Sequence, residues 1–345
     1  MKRYIGLLIA AMLLTGCSWH ESVPAGPSQS DNGAPNSISV FAMDTFMEMT
    51  AYGGNDALMH DAEQRILELE SLLSVTDKNS EIHTLNQNGE AALSADTEEL
   101  MQQALEMCTR THGSLDISIY PVLRAWGFTT GSYQIPDSDT LSELLARVDY
   151  REISLNNGTA VIPDGMELDL GSVAKGYAGD QVAELLRENG VTSALLNLGG
   201  NVQVIGSKPD GRAWRVAVQA PENDGYLGVL EIRDKAAITS GGYERYFVGT
   251  DGQVYWHIID PVTGAPAHSG LVSVTIIGES GATCDALSTA LFVMGLDKAA
   301  EHWRQHQDFD AIFVLEDGSV AITAGLKDSF SLADGNEYRT FSVIE

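Results

Sequence analysis

Positive charge is scarce in this chain: 20 lysines and arginines face 48 aspartates and glutamates, a net charge of −28 over 345 residues. A field of that sign repels nucleic acid and anionic lipid headgroups, which excludes both as partners held by charge. It repels phosphate-bearing ligands as well. Any site for one must therefore supply local positive charge, from a bound metal ion or from Lys175, Arg245 or His257. Cysteine is nearly absent. The three, at positions 17, 108 and 284, make no disulfide framework, and the eight scattered histidines form no zinc cluster with them. The common nucleotide loops are missing too: no Gly-x-Gly-x-x-Gly follows a strand, and no Gly-x-x-x-x-Gly-Lys-Ser/Thr occurs. The apolar run from Ile5 to Leu14, behind Lys2 and Arg3, is too short to cross a bilayer as a helix and reads as the core of a secretory signal.

That leader ends in Leu14-Thr15-Gly16-Cys17, which resembles a bacterial lipobox. The resemblance implies cleavage before Cys17 and a lipid on the cysteine, so residues 1–16 form the signal peptide and the mature chain is anchored to the membrane, not spanning it. Loss of Lys2 and Arg3 makes the charge two units more negative. Residues 17–36, rich in Ser, Pro, Gly and Asn without periodicity, read as a flexible tether. Residues 37–345 contain no Pro/Gly linker, charge block or repeat and are long enough for one large domain or two interlocked ones. Cys108 and Cys284 sit in apolar, helix-like runs and are expected to be buried thiols.

Along the folded unit, Ser39 to Tyr52 reads as a strand. Ala57 to Leu73 reads as an amphipathic helix through Leu58, Ala62, Ile66, Leu69 and Leu73. Asp96 and Glu99 have the spacing of a capping box for a second helix that runs to His112 and stops at Gly113. A third helix is expected over Leu141 to Val148. Short β-like runs then dominate from Arg151 to Ile277, before helices at Cys284–Met294 and Lys298–Gln305 and strands at Ala311–Leu315 and Val320–Thr323. Helices and strands come in blocks, which predicts an α+β fold with largely antiparallel sheets and packed helices.

The stretch from Leu168 to Leu186 organises the rest. Leu168, Asp169 and Leu170 read as a strand end, Gly171 as a turn, and Val173, Ala174, Tyr177, Val182, Leu185 and Leu186 as a helix's apolar stripe. A helix start offers unpaired N–H groups to an anion, and Asp169 and Lys175 bracket this one. Gly176 and Gly179 leave one helix face without Cβ, open to a neighbouring backbone or a flat ligand. An ordinary strand-to-helix turn with small packing residues has the same pattern. Asp285 and Thr289, four apart on a predicted helix with Ser288 beside them, put a carboxylate and hydroxyls where a hard cation such as Mg²⁺ could bind; the same spacing also suits a helix cap. His257 precedes the Asp260-Pro261 turn and suits a general base, a phosphate donor or a structural imidazole.

In order, Met43-Asp-Thr45, Ser80-Glu-x-x-x-Leu-Asn86, Asp116 with Pro121 and Trp126-Gly-Phe128, Leu168-Asp-Leu-Gly-Ser-Val-Ala-Lys-Gly-Tyr177 and Asn197-Leu-Gly-Gly200 resemble the ApbE family of FAD:protein FMN transferases. Thr239-Ser-Gly…Tyr-Glu-Arg245, His257-Ile-Ile-Asp-Pro-x-Thr-Gly264 and Asp285-Ala-Leu-Ser-Thr289 continue it, so the resemblance spans about residues 38 to 325. It implies two interlocked lobes with a flavin cleft between them, and a catalytic domain over 37–345. FAD would meet Met43, Trp126, Gly127, Phe128, Asp169, Lys175 and Ile259. Magnesium would be held by Ser172, Asp285, Ser288 and Thr289. The implied reaction moves FMN from FAD to a threonine hydroxyl of an extracytoplasmic domain of a membrane redox protein, with His257 taking the proton and AMP leaving. No nucleic acid partner is implied, and the only membrane contact is the lipid at Cys17 on an extracytoplasmic, membrane-anchored protein. A metal-dependent FAD pyrophosphatase and a non-catalytic flavin-binding lipoprotein are the alternatives. Asp44 where the family usually has Gly, the lack of an aromatic near Thr76, and Gly242 before Tyr243 depart from its pattern.

Overall fold

The computed structural model describes residues 34–222, 225–336 and 339–345; the leader, Cys17 and most of the tether lie outside them. Among the described residues no helix is long and apolar enough to cross a membrane. The chain opens with a hairpin, β1 (Pro35–Ala42) and β2 (Thr45–Tyr52), where the sequence reads as one strand. Alternation runs through both arms, which hides the turn. Met43 and Asp44 sit between Ala42 and its partner Thr45, at φ 49° and 59°, the left-handed pair that a two-residue hairpin turn requires. Pro35 and Asn36 belong to β1, so folded structure begins two residues inside the expected tether.

Helices α1 (Asp56–Leu73), α2 (Glu81–Asn88), α3 (Ala95–Arg110), α4 (Tyr120–Trp126) and α5 (Ser138–Leu145) follow, with β3 (Glu90–Ala92) between α2 and α3. The second predicted helix starts earlier than the capping-box spacing implies. Ser94 caps α3, while Asp96 pairs with Arg65 at 2.5 Å and Glu99 accepts the Tyr177 hydroxyl at 3.0 Å. The acids at those positions tie three helices together and leave capping to Ser94. The third predicted helix is α5, capped by Asp137 and ending at Leu145.

After β4 (Ser154–Asn156) and β5 (Thr159–Val161), which join β3 in a small sheet, comes α6 (Gly171–Glu188). Leu168–Leu170, expected as a strand end, joins no ladder; its backbone bonds go to the Asn86 side chain (2.7 and 2.8 Å) and the Ile117 carbonyl (2.8 Å). The remaining strands are β6 (Ser193–Leu198), β7 (Asn201–Gly206), β8 (Trp214–Gln219), β9 (Tyr226–Ile232), β10 (Ala236–Gly241), β11 (Tyr246–Val248) and β12 (Val254–Trp256). Then come β13 (Leu271–Gly278), α7 (Gly281–Met294), α8 (Leu296–His306), β14 (Asp310–Leu315), β15 (Val320–Thr323), β16 (Phe330–Leu332) and β17 (Phe341–Ile344).

The fold is α+β and largely antiparallel, as expected. Nine strands form one sheet in the order β1-β2-β6-β7-β10-β13-β14-β15-β17, with only the β15–β17 pair parallel. Strand period two divides its side chains between two cores. Ile238, Val274, Ile276, Ala311 and Phe313 face the helices α1, α6 and α7, while Ala237, Ile277, Ile312 and Val314 face the three-stranded sheet β16-β9-β8. A third, smaller cluster gathers Val122, Trp126, Phe128 and Ile259 with Phe247 and Tyr255 of the β11–β12 hairpin. Cys108 and Cys284 are buried free thiols, and burial pushes the Cys108 thiol up to about 12.

Candidate active site

A cavity of about 520 Å³ opens among these cores. The β1–β2 turn contributes Met43 and Asp44, the start of α6 contributes Ser172 and Lys175, β10 contributes Thr239 and Ser240, and α7 contributes Asp285 and Thr289. Phe128, Asp169, Arg245, His257 and Ile259 also line it. Residues as far apart in the chain as Met43 and Thr289 thus meet in one cleft. Trp126 and Gly127 stand one layer behind its wall. Trp126 is buried, donates its indole N–H to the Gly264 carbonyl at 2.7 Å and packs on Tyr255; Gly127, at φ 85°, lets the chain turn against the Ser132 carbonyl. Ser288 is also behind the wall: its hydroxyl bonds the Asp285 carbonyl at 2.8 Å and the Ser240 hydroxyl at 2.7 Å.

Asp285 is the outlier in α7, a helix otherwise buried on nearly every side by small and apolar residues. A carboxylate there costs stability unless something compensates it. Burial pushes its carboxyl up, while Lys175 and the Gly176 N–H, which donates to Oδ2 at 2.9 Å, hold it down. The N–H reaches because α6 and α7 touch backbone to backbone. A Cβ on Gly176 would collide with the Gly281 carbonyl, and one on Gly179 would collide with the Gln203 amide. The small-residue face of α6 therefore admits a neighbouring helix. Asp180, one turn further along α6, completes the joint by accepting from the N–H groups of Gly281 (2.7 Å) and Ala282 (3.0 Å) and from the Ser280 hydroxyl (3.1 Å). We expect Gly176→Ala to destabilise the fold by about 1–3 kcal/mol through overpacking, measured as the loss in denaturant midpoint at unchanged slope. A midpoint equal to that of the unmodified protein would show that the two helices have slack between them.

At the start of α6 an internal carboxylate stands where the sequence predicts a guest anion. Asp169 Oδ1 accepts from the Gly171 N–H at 2.6 Å; burial pushes the Asp169 carboxyl up, against the pull of that N–H and of Arg245. Ser172 and Lys175 face the cavity beyond it. Across the cleft, burial lowers His257 to about 4, with Arg245 and Lys175 acting in the same direction. Its Nδ1 lies 3.3 Å from the Arg245 carbonyl. A carbonyl only accepts, so Nδ1 carries the proton and Nε2 keeps a lone pair. At neutral pH the ring is a neutral acceptor beside two cations.

The donor set fits a hard cation that shares its shell with phosphate. Among the described residues no group of three or more His, Cys, Asp or Glu side chains could hold a metal ion by itself. The cavity instead offers the Asp285 carboxylate, the Thr289 hydroxyl and the oxygens of Ser172, and Mg²⁺ is commonly held by one or two carboxylates together with substrate phosphates. Thr289 Oγ1 is fixed 3.3 Å from the Ser240 hydroxyl. Two residues with consequences for the site escape the motif reading: Asp180, whose spacing gives no sign of its partner, and Glu70, an apparent surface acid of α1 that lines the cavity.

Lone pair, ammonium and buried carboxylate, converging on one cleft of a largely antiparallel α+β scaffold, are the class of groups that suits a phosphate-bearing ligand. Comparison with known proteins narrows that class. The model of the ApbE family matches residues 43–313, and the chain belongs to that family. It is 34% identical over 303 residues to an FAD:protein FMN transferase of Treponema pallidum, covering 81% of this chain and 83% of the relative. A protein of the same name from Klebsiella pneumoniae is 32% identical over 306 residues, covering 86% of this chain and 95% of its own. The crystal structure of the ApbE protein of Thermotoga maritima matches with a TM-score of 0.80 at 30% identity, over 85% of this chain and 98% of that one.

Proposed function

We propose that this protein transfers FMN from FAD to a threonine hydroxyl of a target protein, with Mg²⁺ in the cleft and AMP as the leaving product. The observation that carries the proposal is the convergence of Asp285, Thr289, Ser172, Lys175 and a neutral His257 on one cavity of a protein whose charge would otherwise expel a pyrophosphate. In this reading the threonine oxygen attacks the FMN-side phosphorus. The new P–O bond forms as the bond to the bridging oxygen breaks, and that oxygen departs with AMP. His257 Nε2 takes the hydroxyl proton, and Lys175 adds positive charge beside the pyrophosphate. When bound to Asp285, Thr289 and Ser172, magnesium supplies neutralisation of the phosphate and leaving-oxygen charge. Phe128, Met43 and Ile259 offer apolar surface to the flavin end, and Trp126 and Gly127 hold Phe128 in place from behind.

A lipid at Cys17 holds the domain at the extracytoplasmic face of the membrane, where domains of membrane redox proteins present the acceptor threonine. Transfer and hydrolysis are separated by stoichiometry. With FAD, Mg²⁺ and an acceptor domain, AMP is expected to appear in equal amount to acceptor-bound FMN, and chelation should stop both. AMP released with an equal amount of free FMN, whether or not acceptor is present, would instead support an FAD pyrophosphatase.

A further inference from the structure

We infer that Glu70 is a positioning residue, holding the Met43–Asp44 turn against the bound flavin nucleotide; the inference rests on the reading of the cavity as an FAD site. Met43 and Asp44 are consecutive non-glycine residues in the left-handed region, at φ 49° and 59°. Side chains adopt that conformation at a cost, and it persists where surrounding contacts over-determine it. One such contact is short and charge-assisted: the Met43 N–H donates to Glu70 Oε1 at 2.6 Å. Two more flank it. Thr45 packs so closely on the turn between β6 and β7 that a Cβ on Gly199 would collide with its side chain, and Asp44 lies 3.8 Å from Arg245 across the cavity mouth.

Glu70 itself is misplaced by the rules for an isolated helix. It occupies the last turn of α1, where the helix dipole disfavours an acid, and that turn has no basic residue. The bond it accepts from the Met43 N–H offsets that cost. Glu70, Met43 and Asp44 all line the same cavity, which links the helix end to the ligand through one hydrogen bond. Removing the acceptor frees a strained turn at the wall of the site, so the loss falls on ligand binding and not on the transfer step, whose groups sit on α6, α7 and beside β12.

The test reads FAD affinity directly, by flavin fluorescence in the absence of acceptor, and transfer kinetics separately. Glu70→Ala is expected to weaken FAD binding about tenfold, the loss of a hydrogen bond to a charged group, and to raise KM for FAD with kcat within about twofold. Glu70→Gln keeps a carbonyl acceptor and should stay within about threefold of the unmodified protein. Adding Asp44→Gly to Glu70→Ala relieves the left-handed cost and should recover part of the lost affinity. Unchanged FAD affinity in Glu70→Ala, a Glu70→Gln loss as large as that of Glu70→Ala, or no recovery with Asp44→Gly would overturn the inference. Unmodified protein that leaves FAD fluorescence unaltered would overturn the flavin reading itself, and this inference with it.

Discussion

Asp285→Asn should lower FMN transfer by about three orders of magnitude and leave the protein at least as stable as before. Both halves follow from the same burial. Asp285 is 5% exposed, and burial of its carboxyl outweighs the help it receives from Lys175 and the Gly176 N–H, so its affinity for a proton is higher folded than unfolded. A carboxyl shifted in that direction costs stability once the pH exceeds its unfolded value, because the folded state must keep it ionised. An amide of the same shape removes that cost and still accepts from Gly176 at the oxygen. It also removes the one negative charge that the cleft offers to a metal on α7, and loss of a group that stabilises transition-state charge costs about 10²–10³-fold or more. Thermal melts and AMP release across a magnesium titration test the two halves separately. Wild-type rates at every magnesium concentration would remove the metal assignment, whereas a large fall in melting temperature would show the carboxylate to be structural.

His257→Ala is expected to bind FAD and to transfer it about 10² to 10⁴-fold more slowly, the range for loss of a general base. The pH profile carries the sharper signature. Burial and the two cations bring the imidazole down to about 4, so the neutral, proton-accepting form is present above that value and is lost only as the pH falls through it. The profile of kcat/KM, which reports the free enzyme, should therefore show no His257 limb between pH 5 and 9. An acid limb near 6.5 that disappears in the alanine variant would place the imidazole in water instead. Equal transfer by both proteins across that range would return His257 to a structural role, consistent with its contact to the Arg245 carbonyl.

Much of this was readable from the residues. The stripe from Val173 to Leu186 does form the buried face of a helix, and the strand alternation does build a largely antiparallel sheet, because periodicity reports which side faces a core. Boundaries and turns were harder. The hairpin at Met43–Asp44 carries neither glycine nor asparagine, and its alternation passes through the turn unbroken; the acceptor of the Met43 N–H, Glu70, lies 27 positions away. Likewise Asp96 and Glu99 have capping-box spacing, yet Arg65 and Tyr177 claim their carboxylates, and neither partner is local. The Gly176–Gly179 face was legible as an approach surface without revealing what approaches. Gly281 and Gln203 answer that, and through them Asp285 comes to rest on the α6 backbone. What local sequence leaves unsaid throughout is the partner of a polar group, since that is set by long-range packing.

If the cleft splits FAD and passes the FMN half to a protein hydroxyl, the acceptor itself must gain mass. Intact mass of an acceptor domain after incubation with the protein, FAD and Mg²⁺ tests this most directly, alongside the same domain with its acceptor threonine changed to valine. The first domain should gain one phosphoester-linked FMN, with AMP in equal amount, and the second should gain nothing. An acceptor of unchanged mass, with FAD recovered whole across magnesium concentrations, would contradict it and leave a protein that holds the flavin nucleotide without cutting it.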